Sequence, residues 1–199
     1  MLRPVAALGM GVLLLAACTR GGGGPPAAEP TVPLTGPATT VAEPPAVTSF
    51  TVVASQVHPA GDGTLAPSDL EAVQAALDGY LAAAVVRPLE SGEPAGDLAG
   101  LFTPAALARL DGPDRAALVD DGFPPAAEVR VGTAAADLSV LTGAGGAAQV
   151  VVASIDLRVR SFIDGTPVTF HRTGVLALVP HEGAWKVDTY DVRVTRDSG

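Results

Sequence analysis

Between residues 66 and 89 the chain reads APSDLEAVQAALDGYLAAAVVRPL, and its apolar positions return every three or four residues. Leu70, Val73, Leu77, Tyr80 or Leu81, and Ala84 fall on one face of a 3.6-residue helix. Ser68 and Glu71 match a capping box and predict its start. Pro88, which lacks a backbone N–H, predicts its end near Arg87. Residues 91–125 read as short helices joined by turns. Thr103 caps one that begins with Pro104 and points Leu107 and Leu110 inward. Leu101 and Phe102 pack just before it, and a second short helix is expected from Asp114 through Leu118 and Val119 to Gly122.

After residue 126 the period changes from 3.6 to 2. Four strands are expected, in 126–143 (bent around Gly132), 145–165, 166–183 and 184–197. In the second, Val151, Ala153, Ile155, Leu157 and Val159 share a face, opposite Ser154, Asp156, Arg158 and Arg160. In the third, Phe170, Leu176 and Leu178 share a parity. The fourth changes parity between Val187 and Tyr190, which predicts a bulge near Asp188. Asp164–Gly165 and Glu182–Gly183 are tight-turn signals that imply antiparallel neighbours. Upstream, AVTSFTVVASQV (46–57) reads as a strand or extended arm with Phe50, Val52 and Ala54 on one face, and HPAGDG (58–63) as a loop. The expected architecture is α+β: a curved antiparallel sheet of four or more strands closing, as a cone, over one long and two or more short N-terminal helices.

The first 45 residues follow neither period. Residues 1–17, MLRPVAALGMGVLLLAA, carry one charge, Arg3, ahead of a short apolar run, as a secretory signal does. Residues 18–45 hold a glycine tract, then prolines and threonines, the composition of an unstructured tether. The division is therefore a signal peptide over 1–17, a stalk over 18–45 and a folded domain over 46–199. The run Leu15-Ala16-Ala17-Cys18 resembles the lipobox of bacterial lipoproteins, and Cys18 is the chain's sole cysteine. That resemblance implies cleavage before Cys18, lipidation of its thiol, and attachment to the extracytoplasmic side of the cell membrane. Acyl chains would supply the membrane affinity that the chain's charge does not.

Composition narrows the partners. The formal net charge is -9, from 21 acidic and 12 basic side chains, which disfavours nucleic acid and bare anionic lipid. One cysteine cannot form an internal disulfide. No Cys/His cluster has metal-ligand spacing, so neither a metal nor a cofactor is expected.

Segments AVVRPLESG (84–92), LFTPAALARLDGPDRAALVDDG (101–122) and GVLALVPHEGAWKVDTYDVRV (174–194) are similar to small secreted actinobacterial proteins of the NTF2-like, or SnoaL-like, superfamily. The resemblance covers roughly residues 48–197 and implies a cone fold. That fold hosts isomerases, dehydratases, transport adaptors and proteins without activity, so it assigns no chemistry.

Cone-fold enzymes use a carboxylate, histidine or tyrosine in the concavity. By that pattern His171 is the candidate base, with Asp156 from the neighbouring strand to orient it and Asp188 or Tyr190 to complete a proton-transfer group. The competing reading pairs His171 with Asp156 across two strands on a wet face, because His171 shares parity with Thr169 and Thr173. Tyr80, Phe102, Phe170, Leu176 and Trp185 are the candidate lining of an apolar ligand cavity, or else plain core. Asp120 and Asp121 read as solvated helix-end residues rather than a metal pair. Three functions are thus in play: envelope protein interaction without catalysis, carriage of a small apolar ligand, and proton transfer.

Overall fold

The computed structural model describes residues 49–59, 66–144 and 146–199, and of residues 55–59 the backbone alone. The expectations for the signal peptide, the tether, Cys18, residues 46–48 and residues 60–63 lie outside these residues.

The long helix runs past its predicted stop. Helix α1 spans Pro67–Tyr80 and passes into a π-helical stretch, Leu81–Val86, which continues as α2, Arg87–Ser91. Pro88 does not end the helix because its defect is absorbed twice. The wide π turn precedes it, and the carbonyl of Ala84, four residues back, accepts the backbone N–H of Asp120 at 2.9 Å instead. The helix ends at Gly92, left-handed with φ 70°, whose N–H bonds the Pro88 carbonyl. The start differs as well. Ala66 is the cap and Pro67 the first helical residue, so Ser68 lies inside the first turn and no side chain caps it. The inward face follows the expected period, with Val73, Leu77, Tyr80, Leu81 and Ala84 all buried.

The short helices are α3, Pro104–Arg109, and α4, Arg115–Leu118. The Thr103 hydroxyl accepts the Ala106 N–H, as the Thr-Pro signal predicts.

Five strands form one sheet in the order β1-β2-β3-β4-β5: Thr51–Pro59, Val129–Thr142, Ala148–Ile163, Thr166–His181 and Ala184–Ser198. Strand β1 extends through His58 and Pro59, two residues expected in a loop. The sheet is mixed, not antiparallel throughout: β1 lies parallel to β2, and the other three pairings are antiparallel. All of the described helices lie between β1 and β2 in the chain, which supplies the long crossover that a parallel pair requires. The last two connections are two-residue turns, Asp164–Gly165 and Glu182–Gly183, with positive φ at all four residues.

The register slips around Gly132, near Thr142 and at Asp188, which is the extra residue of β5 opposite Ala177 and Leu178. These bulges curve the sheet. Phe102 bridges to Val187 at the same place, with the Thr103 N–H on the Val187 carbonyl and the Val187 N–H on the Leu101 carbonyl. In β4, Gly174 has φ 144°, and a Cβ there would lie 2.1 Å from the Asp191 carbonyl oxygen, so only glycine permits β5 to approach this closely.

Helices α1, α3 and α4 pack on β5. The core lies between the helices and the inner face of the sheet, where Val151, Ala153, Ile155, Leu157, Val159, Phe170, Leu176 and Leu178 are buried. At ~25 cal/mol per Å² of apolar surface, this joint burial is the main force that holds the two layers together.

Candidate functional site

Among the described residues, alternation along the strands leaves one face of the sheet without a helix over it. Its transverse rows follow from the register. One row is Val53, Asp137, Ser154, Val175 and Asp191. The next is Thr51, Ala135, Asp156, Thr173 and Arg193. The row beyond that sets Thr133, Arg158, His171 and Thr195 side by side.

His171 and Asp156 meet diagonally across these rows, with Nε2 2.9 Å from Oδ1. Arg158 Nε lies 3.8 Å from the same oxygen. The imidazole is 29% exposed and the carboxylate 48%, so the pair stands in water. Asp188 and Tyr190 belong to the other side of the sheet. Asp188 accepts the Thr103 hydroxyl at 2.9 Å, and its carbonyl accepts an Arg109 N–H. Tyr190 donates its hydroxyl to Asp114 at 3.3 Å beneath the Arg109 guanidinium, 5.4 Å from the ring centroid. Partial burial chiefly raises the Tyr190 pKa, against the lowering effect of Arg109. The structure thus brings together two members of the sequence-predicted proton-transfer group and holds the other two apart from them.

A shallow hollow of about 500 Å³ opens on the same outer face. Its walls come from β1 (Thr51, Val53), β2 (Ala135, Asp137) and β3 (Ser154, Asp156). It is mostly apolar, with two carboxylates at its margin. Asp137 is exposed and makes no ion pair among the described residues. The three large apolar side chains that stand exposed among the described residues are Val53, Leu141 and Val175. All three project from this face. Half-buried Val150, Val152, Ala177 and Val179 lie between and beside them.

The five candidate ligand-lining residues are placed in the core. Tyr80, Phe102, Phe170 and Leu176 are buried to 1% or less, and Trp185 to 8%. Tyr80 meets Phe102 edge-on at 6.3 Å, and Phe170 meets Phe123 the same way at 5.3 Å. None of the five lines the outer hollow or the smaller one between Ala83 and Gly96.

A polar cluster inside this core escaped the sequence reading. Arg172 has the parity of Phe170 and Leu176, and it is fully buried. Its Nη2 donates to Asp120 Oδ1 at 2.5 Å and its Nε to the Ala117 carbonyl at 3.0 Å. Asp120 is equally buried, not solvated, and its own N–H caps the Ala84 carbonyl. Tyr80 donates its hydroxyl to the Leu118 carbonyl at 2.9 Å. Burial drives the Tyr80 pKa up to about 12; Arg172 opposes that rise and Asp120 adds to it. Burial acts to lower the Arg172 pKa, but Tyr80 and Asp120 outweigh it and keep the guanidinium charged. One signal was present in the sequence: an arginine in the core-facing register of a strand.

No group of three or more His, Cys, Asp or Glu side chains among the described residues is arranged to hold a metal ion. No described helix is long and apolar enough to cross a membrane. No family model, curated protein or solved structure matches the chain.

Proposed function

We propose that this chain is a lipid-anchored protein of the cell envelope whose folded domain, an NTF2-like cone, serves protein interaction rather than catalysis. One observation carries the reading: among the described residues, the exposed large apolar side chains Val53, Leu141 and Val175 all stand on the face of the sheet that no helix covers, while the concave side is occupied by its own side chains. A solvent-facing apolar surface of this kind is retained where a partner covers it. The anchor rests on the signal-like run before Cys18 and the glycine- and proline-rich segment after it. The α+β order and the bulged, curved sheet over a long helix support the cone assignment.

Proton transfer is the second reading, favoured by the His171–Asp156 hydrogen bond. That pair lies on the open face in contact with water, away from Asp188 and Tyr190 on the other side of the sheet. Carriage of an apolar ligand would require Tyr80, Phe102, Phe170, Leu176 and Trp185 to part.

Two measurements test the proposal. Mass analysis of the mature N-terminus should find an acylated Cys18, and Cys18→Ala should move the protein out of the membrane fraction. A Cys18→Ala protein that stays with the membrane would refute the anchor. For the interaction, the double substitution Leu141→Lys, Val175→Lys should leave the urea midpoint unchanged. It should also remove the higher-mass species on native gels of detergent-solubilised membranes. Persistence of that species in the variant would refute the role of this face.

A further inference from the structure

The two edges of the sheet are protected very differently. Strand β5 is guarded by Lys186, Asp188, Asp191, Arg193, Arg196 and Asp197, and Leu101–Thr103 pairs with it at Val187. Strand β1, TVVASQVHP, carries no Asp, Glu, Lys or Arg over nine residues. Among the described residues nothing pairs with its far side. Side chains of α1 fix its entry: Asp78 Oδ1 accepts the Phe50 N–H at 2.6 Å, and Gln74 Nε2 donates to the Phe50 carbonyl at 3.2 Å. A strand held firmly at one end, with no charge on it and a row of peptide groups that pairs with nothing among the described residues, is a template for another strand.

The hollow beside β1 states the chemistry of what would be added. An incoming strand would lie ~4.8 Å from β1 and so about twice that from β2. Its outward side chains would reach over Val53, which is 58% exposed, toward Asp137 in the same row. A lysine or arginine fits this path, with its alkyl stem on Val53 and its charge at the Asp137 carboxylate. Asp156 lies one row and one strand further, already shared with His171 and Arg158. A second copy of the chain suits the site poorly, since each copy has a net charge of -9 and would bring its own Asp137 to the joint.

We infer that the edge strand β1 and the adjoining hollow form a docking site for an extended, basic segment of another protein, added as a sixth strand next to Thr51–Ala54. This rests on the interaction reading above and names the surface and the partner chemistry.

The test uses the isotope-labelled chain and two synthetic decapeptides, one alternating Val and Lys, the other Val and Glu, followed by NMR. The Val-Lys peptide should bind at least tenfold more tightly and weaken with salt. It should shift the amides of Thr51–Ala54 more than those of β5. Val53→Lys should weaken it at least tenfold and Asp137→Asn at least threefold, while Glu90→Gln, on the helical side, should change nothing. Equal binding of the two peptides, or Asp137→Asn and Glu90→Gln acting alike, would overturn the site. A dimer in sedimentation whose formation shifts the β1 amides would replace the basic partner with a second copy and overturn it too. Peptide shifts centred on Val175 instead of β1 would overturn the edge site yet leave the outer face as the interaction surface. Absence of peptide binding together with survival of the native-gel species in Leu141→Lys, Val175→Lys would remove both.

Discussion

Replacing Arg172 with methionine should be among the most damaging single changes in this domain. The substitution takes the guanidinium from Asp120, whose carboxylate has no exposed surface, and from the Ala117 carbonyl. Loss of one partner of a buried pair costs roughly 3–5 kcal/mol, because the remaining charge is left without compensation. Against a typical stability of about 5–15 kcal/mol, that is roughly a fifth or more of the total. At ~2–4 °C per kcal/mol for a chain of this size, the melting temperature should fall by roughly 6–20 °C. Asp120→Leu should cost a similar amount for the mirror reason. The double variant Arg172→Met, Asp120→Leu replaces two charges with two apolar side chains of comparable bulk, and its cost should be at least about 2 kcal/mol less than the sum of the single costs. Urea unfolding followed by the fluorescence of Trp185, the single tryptophan and largely buried, reads all three. Single costs under ~1 kcal/mol, or additive ones, would refute the claim that this pair is a desolvated ion pair.

Three further outcomes follow from the same geometry. The Tyr80 phenol has a folded pKa raised to about 12, so the folded state binds more protons than the unfolded one between pH 10 and 12. Its stabilising effect is complete below pH 10 and is lost as pH rises through 12, by an amount on the order of 3 kcal/mol; a pH series of urea midpoints should show this step and Tyr80→Phe should remove it. Gly174→Ala puts a Cβ against the Asp191 carbonyl in a φ that side chains avoid, and calorimetry should record a loss on the order of 3 kcal/mol. Thr103→Ala removes the cap of α3 and a bond to the Asp188 bulge together, and should cost roughly 1–2 kcal/mol in urea unfolding.

The parts of the fold that local chemistry controls were legible. In β3 the alternation is long and one face is buried throughout, so period and burial agree. The Asp188 bulge showed as a change of parity, because an extra residue turns every later side chain over. The parallel pairing of β1 was not legible. Its partner is some 80 residues away, and no turn residue encodes it. Pro88 misled for a related reason: what rescues the helix is a backbone N–H at Asp120, distant in sequence. Of the candidate site, the His171–Asp156 contact was open to inference from strand order, whereas the separation of Asp188 and Tyr190 depended on which face each took after the bulge. Arg172 sets two signals against each other: its charge argues for solvent, while its register, shared with Phe170 and Leu176, points inward, and the register wins.

The most direct test of where this protein meets its partner is site-specific photo-crosslinking in intact cells, with a photoreactive side chain at Val175 on the outer sheet face or at Glu90 on the exposed side of α2. A discrete adduct is expected from position 175 and none from position 90. Adducts from position 90 with none from 175 would contradict an interface on the outer sheet face.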